Sequence, residues 1–477
     1  MKSMEKMSFI GGPVLWLKML SDELHWTFVT GVVIVYGISQ GLGGALSRVA
    51  SDYYWKDVQL VQPSASQFYQ GITYIPWVVK PLWGLFTDVC PVAGYKRRPY
   101  FILAGLLGVF SMLVLSLHHN LHVVFALICL TAGSAGVAIA DVTIDACVAQ
   151  NSIRHPPLAP DMQSLCGFSS SIGALLGFSI SGFLVYFIGS QGALGLMSIP
   201  AALVLLVGVV LNEPHQPNNT YKQVYEKLLE ATKTMWTTLK CPNVWRPCVY
   251  MLVSLAITLN IHEGLFYWIT DPKAGPAFSQ EIIGFVMSVG SVGALIGVLL
   301  YQNFFKDYSF RGLLFWTQLL FGFSGMLDLV MVFRLNLKYG VPDFAFVVID
   351  EIGHNIVGRL RWMPLLVLSS KLCPSGIEGT FFALLMSIDN VGLLLASWGG
   401  GLLLHLLKVT RTEFGNLWAA ILIRNLMRFL PLALLFLIPN ADQNSTLLPM
   451  DLLQEEEGEN AEEQNIELVA LVERNEE

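Results

Sequence analysis

Two aspartates in one apolar stretch are the first residues whose spacing suggests chemistry. Asp141 and Asp145 lie four positions apart in AIADVTIDACVAQ, so a helix places both carboxylates on one face. Two negative charges this close repel each other, which favours a proton on one of them. The pair is therefore a candidate site for proton exchange across a membrane. The alternative is that both carboxylates lie in water at a helix end.

A polar stripe follows a second apolar stretch, FVVIDEIGHNIVGRLRWMP. Glu351, His354, Asn355 and Arg361 recur there at i, i+3, i+4 and i+10, which places them along one side of a helix. A guanidinium in hydrocarbon is costly, so Arg361 needs an anionic partner. The stripe is a candidate binding surface for an anionic substrate. An ion pair with a carboxylate of another helix is the alternative.

A third stretch, YIPWVVKPLWG, places one cation between two indoles. Trp77 and Trp83 lie three positions before and after Lys80, so a helix presents all three on one face. Indole faces stack on flat heterocycles, and an ammonium attracts carboxylates. These three residues, together with Gln40 from an earlier stretch, are candidate substrate ligands. An aromatic belt with a snorkelling lysine is the alternative.

The acidic and basic stretches are expected to face each other if they occupy equivalent positions in two repeats. Asp141 and Asp145 come about 20 residues after their stretch begins, as do Arg359 and Arg361 in theirs. This equivalence predicts an acidic wall opposite a basic wall, around a cavity for a zwitterionic or anionic substrate and a proton.

The composition identifies the elements that must position these residues. The chain has 477 residues, of which 54% are hydrophobic and 13% charged, whereas soluble domains carry roughly 25% charged residues. A helix needs about 20 mostly apolar residues to cross a bilayer. Twelve stretches meet that requirement, approximately at 26–50, 68–87, 100–118, 121–150, 161–188, 192–212, 244–270, 280–301, 311–333, 341–370, 376–406 and 415–438.

The distribution of charge predicts the orientation in the lipid bilayer. Loops on the side of the N-terminus hold eleven basic residues and the opposite loops hold six, so both termini are expected in the cytosol. The net charge of −7 is the sum of +4 for the body of the chain and −11 for a C-terminal segment, 441–477, that holds twelve acidic residues and one arginine. Such a segment is expected to be disordered and to bear on sorting or on a cytosolic partner.

The predicted fold is therefore an all-α integral membrane protein with twelve transmembrane helices in two pseudo-symmetric six-helix halves. The interval between the halves contains YKQVYEKLLEATKTMWTTLK, which is typical of an amphipathic surface helix. The predicted organisation is an N-terminal cytosolic segment, a first bundle, a linker, a second bundle and an acidic tail, at 1–25, 26–212, 213–243, 244–438 and 439–477.

Several activities find no support in the sequence. It contains no G-x-x-x-x-G-K-[ST] for nucleotide phosphates, no channel filter of the TVGYG type, and neither a nucleophile elbow nor H-E-x-x-H. The seven cysteines form no C-x-x-C. We therefore expect neither an enzyme nor a nucleic-acid-binding protein, and no metal or other cofactor.

Two motifs resemble the folate-biopterin transporter family of the major facilitator superfamily, in particular its plant-like members. They are WVVKPLWGLFTDVCPVAGYKRRPYFILAG at 77–105 and ADVTIDACVAQNS at 140–152. The resemblance implies proton-coupled uptake of folates or pterins by alternating access, with helices one, four, seven and ten around a central cavity. It also implies gating roles for Asp88, Arg97 and Arg98, although three extra residues separate Asp88 from Gly94 compared with the superfamily's loop motif.

The combined hypothesis is a secondary active transporter in which Asp141 or Asp145 exchanges a proton while Arg361 and Lys80 attract a small anionic substrate. The alternatives are the same fold carrying another organic anion or small solute, and a receptor or scaffold that does not transport. The N-terminus is a poor transit peptide. The plasma membrane or the vacuolar membrane is therefore expected rather than the plastid envelope.

The predicted orientation has a chemical test. Sequons at Asn218 and Asn444 lie in segments expected in the cytosol, so both asparagines should remain unmodified when the protein is made in a glycosylating host. The measurement is the electrophoretic mobility before and after glycosidase treatment. A mobility shift that Asn218→Gln or Asn444→Gln removes would invert the predicted topology.

Overall fold

The structure is a computed structural model that describes residues 11–118, 120–215, 229, 232–233, 235–373 and 378–443, without the side chains of 11–14, 88, 89, 153, 156 and 378–380. These residues are helical apart from connecting segments and two isolated bridges, which confirms the all-α prediction. Most of the amphipathic helix predicted in the linker, and the tail beyond 443, lie outside the described residues.

The first half begins with a short helix, Gly11–Leu24, and continues with six spans. Their helices are, in order, Trp26–Val58; Pro63–Thr73 with Ile75–Val78 and Lys80–Val89; Arg98–Leu117; Val123–Arg154; Ala159–Gly195; and Ser198–Val210. A single turn, Pro156–Leu158, joins the fourth span to the fifth.

The second half repeats this arrangement. Its helices are, in order, Pro242–Ile257 with His262–Ile269; Gln280–Leu300 with Tyr301–Phe305; Phe310–Ser324 with Leu327–Val332; Asp343–Lys371; Glu378–Leu406; and Leu417–Met427 with Leu430–Leu437. A short helix, Leu335–Lys338, connects the ninth span to the tenth.

Nine helical segments among the described residues are long and apolar enough to cross a bilayer. One of them, Ala159–Val210, has 52 residues and contains both the fifth and the sixth span. The second and tenth spans are not among the nine, since prolines interrupt one and polar side chains crowd the other. With these two added, the helices are consistent with the twelve predicted spans.

The second span breaks immediately before Lys80. Pro76 and Pro81 lack the N–H that continues an α-helix, and Val79 leaves helical geometry at φ −89° and ψ 13°. The carbonyls of Trp77 and Val78 are satisfied from the other half instead. Asn390 donates to the Trp77 carbonyl at 3.1 Å, and the hydroxyl of Ser387 donates to the Val78 carbonyl.

The seventh span is also broken, between Ile257 and His262, although no proline lies in this interval. The Asn260 amide there donates to the Ala396 carbonyl of the eleventh span at 2.9 Å. Non-helical backbone at membrane depth is tolerated where it lies inside the protein or beside a water-filled cavity. Both breaks are therefore signs of a central cavity rather than of a lipid-facing surface.

Loop contacts define two sides of the bundle. The near side holds 90–97, 155–158 and 306–309, and the far side holds 59–62, 270–279, 333–342 and 407–416. On the near side, Glu213 at the end of the sixth span accepts hydrogen bonds from the amides of Lys96, Arg97 and Arg98. On the far side, Gln59 donates to the Leu121 carbonyl at 3.0 Å.

The two halves meet along seams of small residues. A Cβ added at Gly182 of the fifth span would lie 2.3 Å from the Gln280 carbonyl oxygen of the eighth. A Cβ added at Gly71 of the second span would lie 2.7 Å from the indole nitrogen of Trp398 of the eleventh. Glycines let membrane helices approach to backbone contact. A larger side chain at Gly182 would force the two helix backbones apart, and one at Gly71 would displace the Trp398 indole.

The start of the segment predicted as a disordered tail is ordered, which corrects its boundary. Gln443 is 3% exposed, and its amide donates to the carbonyls of Phe305 and Tyr308 at 3.1 and 3.0 Å. The Tyr301 hydroxyl donates to the Gln443 carbonyl oxygen, and Phe310 donates to Ala441. Residues 441–443 therefore close the connection between the eighth and ninth spans.

Truncation tests this boundary. Removing 444–477 should leave transport and thermal stability intact, whereas Gln443→Ala leaves buried groups without partners and should cost roughly 1–3 kcal/mol. The measurement is the melting temperature in detergent. Gln302→Ala, at an exposed position of the eighth span, is the matched control and should leave the melting temperature unchanged. Equal melting temperatures for both glutamine variants would contradict this role for Gln443.

Candidate functional site

A cavity of about 1100 Å³ lies between the two halves. Its wall includes residues from all twelve spans, so neither half encloses it alone. Six of the residues predicted to bind substrate line it: Gln40, Trp77, Glu351, His354, Asn355 and Arg361. Lys80, Asp141 and Asp145 form a charge cluster in contact with two of these lining residues, Gln40 and Trp77.

The first span contributes to this cluster through an unusual helix. Residues Val33–Gly43 form a π-helix, a rare geometry that is frequent at functional sites. Within it, the Tyr36 hydroxyl donates to Asp145, and the Gln40 amide donates to Asp141 at 2.6 Å. Tyr36 was missed at the sequence level, because an aromatic residue in an apolar span carries no distinctive signal.

Lys80 lies between the two aspartates. Its ammonium is ion-paired with Asp141 and lies 3.4 Å from a carboxylate oxygen of Asp145. The side chains of Lys80 and Asp141 are 13% and 7% exposed, whereas that of Asp145 is 46% exposed. One cation and two carboxylates leave an excess negative charge, and Asp145 is the member of the cluster that solvent can reach.

This arrangement corrects the expectation of two facing walls. The charges of Asp141 and Asp145 are met by Lys80 of their own half, not by Arg359 and Arg361 across the cavity. The cause is the break before Lys80, which starts a new helix at that residue and places its side chain against the fourth span.

The structure also differs from the expectation that two indoles flank Lys80. The ammonium lies 5.7 Å from the ring centroid of Trp77, whose indole donates to Ser134 at 3.2 Å. Trp83 packs against the hydrophobic core of the first half and is not among the residues that line the cavity. The helix break turns the two tryptophans onto different faces, so only Trp77 is available to a ligand in the cavity.

The tenth span presents its polar stripe to the cavity. The Asn355 amide donates to Glu351 at 2.7 Å, and the His354 ring lies 5.4 Å from the ring of Phe321 on the ninth span. Arg361 is 8% exposed and has no ion pair with the described residues. No described carboxylate therefore contacts Arg361 directly, although Asp389 of the eleventh span lies near enough to interact with it electrostatically.

The predicted gating residues fasten a near-side loop. Arg97 donates to Thr87 at 3.0 Å, and Arg98 donates to the carbonyls of Gly208 and Val209 at 3.1 and 2.6 Å. These contacts attach the loop after the second span to the end of the sixth. The side chain of Asp88 lies outside the described residues, so its gating role stays a prediction.

A second polar cluster, which sequence reasoning largely missed, joins the halves toward the far side. The His262 ring lies 2.9 Å from Asp52, and Ser66 donates to Glu263 at 2.8 Å. The Glu263 amide donates to Gln67 at 3.1 Å. His262 and Glu263 were visible as polar residues in an apolar span, but Asp52 lay beyond the predicted end of the first span at 50.

This far-side cluster is buried and contains opposite charges. Asp52 and Glu263 are each 1% exposed, and Arg48 lies 3.8 Å from Asp52. One member of each hydrogen-bonded pair belongs to the first half and the other to the second. Separation of the halves at the far side must therefore break contacts between buried polar groups.

Comparison with known proteins agrees with this architecture. The BT1 family profile matches residues 40–451. A relative from Arabidopsis thaliana, named "Probable folate-biopterin transporter 2", is 63% identical over 97% of this chain and 93% of its own length. Its name describes a transporter and not an enzyme.

Solved structures share the fold at low sequence identity. The nucleoside transporter NupG, as a point mutant, superposes with a TM-score of 0.64 at 13% identity, over 87% of this chain and 99% of its own. A D-xylose–proton symporter gives 0.60 at 15%, over 92% of this chain and all of its own. This chain is a multi-pass membrane protein with the fold of the major facilitator superfamily, and it belongs to the BT1 family of folate-biopterin transporters.

Proposed function

We propose that this protein moves folates or pterins across a membrane by alternating access, coupled to protons. The observation that carries the proposal is the cavity between the halves, lined by aromatic and polar side chains beside a charge cluster with one excess negative charge. The name of the Arabidopsis relative supports the substrate class. A sugar–proton symporter with the same fold supports the coupling to protons.

The geometry of the cavity suits a substrate with a flat ring. Pockets for drug-sized ligands measure about 300–1000 Å³, so a volume of about 1100 Å³ accommodates a pterin with a side chain. Trp77 offers an indole face for stacking. Gln40, Glu351 and Asn355 offer amide and carboxylate groups to the hydrogen-bonding edges of a heterocycle.

Asp145 is the proposed proton carrier. With both aspartates ionised, the cluster of Lys80, Asp141 and Asp145 has a net charge of −1, and one added proton makes it neutral. Asp141 is the more buried carboxylate and is held by Lys80 and Gln40, whereas the side chain of Asp145 is half exposed. A proton therefore reaches Asp145 with less rearrangement, and Tyr36 can reorient to accept a hydrogen bond from the protonated acid.

The structure supports an assignment to the inward-facing state if the near side is cytosolic. Contacts between the halves concentrate toward the far side, where Lys56 donates to Thr270 at 2.6 Å and Arg411 donates to the Lys56 carbonyl at 2.5 Å. Arg359, on the near-side half of the tenth span, is exposed and lines the cavity. The excess of basic residues in near-side loops supports the cytosolic assignment.

In the proposed transport cycle, each of the predicted segments of the chain has a separate role. Segments 26–212 and 244–438 rock against each other around the midplane cavity, with 213–243 as their cytosolic linker. Arg97 and Arg98, with Asp88, order the near-side loop during this motion. The acidic tail recruits a cytosolic partner or directs sorting. The protein resides in the plasma membrane or the vacuolar membrane rather than in the plastid envelope.

Uptake by proteoliposomes tests the proposal. Wild-type protein should accumulate labelled folate or biopterin when a proton gradient is imposed. Asp145→Asn should lose this gradient-driven accumulation but keep the exchange of labelled for unlabelled substrate, because it fixes the cluster in its neutral form. If the wild type transports neither folate nor biopterin, the proposed substrate class is refuted.

Asp343→Asn is the control for this substitution, since that carboxylate pairs with Arg334 in a far-side loop at 2.7 Å and does not line the cavity. It should accumulate substrate as the wild type does. Wild-type accumulation by Asp145→Asn would show that the proton binds elsewhere.

The far-side cluster gives an independent test of alternating access. Removing one partner of a buried ion pair costs about 3–5 kcal/mol, so Asp52→Ala should shift the population toward far-side opening. Ser181→Cys reports this shift, because Ser181 is 0% exposed near the seam between the fifth and eighth spans. In a background without other cysteines, Asp52→Ala should raise its alkylation rate by an impermeant reagent added from the far side.

Asp57→Ala, an exposed aspartate five residues later, is the matched control and should leave the alkylation rate unchanged. If both variants react at the wild-type rate, the far-side cluster does not hold this side closed.

A further inference from the structure

A cluster of basic residues in the second half extends beyond the polar stripe of the tenth span. Arg361, Arg424 and Arg428 come together there from the tenth and twelfth spans, and all three line the cavity. The guanidinium carbons of Arg361 and Arg428 lie 4.6 and 4.0 Å from the ring centroid of Phe321. Both guanidinium groups therefore contact the same aromatic ring.

The three arginines differ in what they bind. Arg424 is ion-paired with Asp328 at 2.5 Å and also donates to Asn425 at 3.1 Å. Arg361 and Arg428 have no ion pair with the described residues. Their exposed fractions are 8% and 6%, so both are more than nine-tenths buried.

Both unpaired arginines keep hydrogen-bond donors without partners. Nη2 of Arg361 and Nε of Arg428 are buried and make no hydrogen bond with the described residues. The hydrogen bond of Arg428 to the Phe321 carbonyl is long, at 3.4 Å. A guanidinium has five donors and no acceptor, so these two side chains, which both line the cavity, keep unused capacity for an anion.

Three acidic side chains lie near the pair, but none of them forms an ion pair with Arg361 or Arg428 among the described residues. Asp328 is ion-paired with Arg424, and Asp350 of the tenth span lies near Asp328. Asp389 of the eleventh span is 2% exposed and is not among the residues that line the cavity; it interacts electrostatically with Arg361 but lies beyond ion-pair distance. A carboxylate that enters the cavity can therefore reach the guanidinium pair without displacing a partner.

We propose that Arg361 and Arg428 form a carboxylate-binding subsite that selects substrates with an acidic side chain, such as the glutamyl group of folate. The inference rests on the proposed function and adds an orientation to it. Guanidinium groups bind carboxylates through paired, charge-assisted hydrogen bonds. Lys80 is already paired in the first half, so the acidic end of the substrate lies in the second half and its flat ring lies toward Trp77.

Substrate discrimination tests the subsite. Arg361→Gln and Arg428→Gln should each raise the KM for folate by about tenfold or more, the expected loss for one charge-assisted hydrogen bond. Uptake of biopterin, which has no carboxylate, should stay within about twofold of the wild type by the same arithmetic. Arg334→Gln, which removes a far-side arginine paired with Asp343, is the matched control and should affect neither compound.

A binding measurement separates the subsite from transport itself. N-(4-aminobenzoyl)glutamate contains the acidic end of folate without the pterin. It should bind to the detergent-purified wild type in calorimetry and lose about tenfold or more in affinity with either glutamine variant. Arg361→Lys and Arg428→Lys, which keep the charge without the planar fork, should recover part of this affinity and serve in place of any glutamine variant that does not fold.

The outcomes are distinguishable. Equal losses of folate and biopterin uptake in the glutamine variants, or an unchanged affinity for the aminobenzoyl fragment, would overturn the subsite. A wild type that transports biopterin but not folate would overturn it as well, while leaving pterin transport in place. A wild type that transports neither compound but binds the fragment through both arginines would refute the proposed function and keep the subsite.

Discussion

The cost of placing a charge inside an apolar bundle governs the rest of this structure. The chain meets that cost in three ways. Lys80 is enclosed by two carboxylates of the fourth span. Arg424 is matched by Asp328 on the ninth. Arg361 instead packs against Phe321 and keeps unused donors. The first two cations have ion-pair partners within the protein, whereas Arg361 has none among the described residues, which is why the proposed carboxylate subsite lies in the second half.

The two halves are held together by contacts of different kinds. Glycine seams such as the one at Gly182 are apolar and depend only on close packing. The far-side cluster around Asp52 and Glu263 depends on buried hydrogen bonds and charge. Breaking buried polar contacts leaves groups unsatisfied, whereas packed small residues carry no such cost. In the proposed transport cycle, opening of the far side would therefore have to break the polar cluster, and the glycine seams would offer less resistance.

Much of the fold could be predicted from the sequence, because hydropathy and length alone decide which segments cross a bilayer. The identity of the charged residues could also be predicted, since ionisable side chains stand out in apolar stretches. Their pairing could not. Whether Asp141 pairs with Lys80 or with a distant arginine depends on the rotation of each helix, and the break at Val79 changes that rotation for the second span. Asp52 was missed because the first span extends to Val58, past its predicted end.

The carbonyls that the break in the second span leaves free are bound by Ser387 and Asn390 of the opposite half. The backbone immediately before Lys80 is thus shared between two bodies that must move apart during a transport cycle. When the eleventh span withdraws, these carbonyls must find other donors such as water, because Pro81 has no N–H with which the Trp77 carbonyl could re-form the helix, and this change would shift the backbone that carries Lys80. The same displacement that opens the cavity would then alter the hold of Lys80 on its two aspartates. Mechanical motion and proton affinity would be linked through two main-chain oxygens.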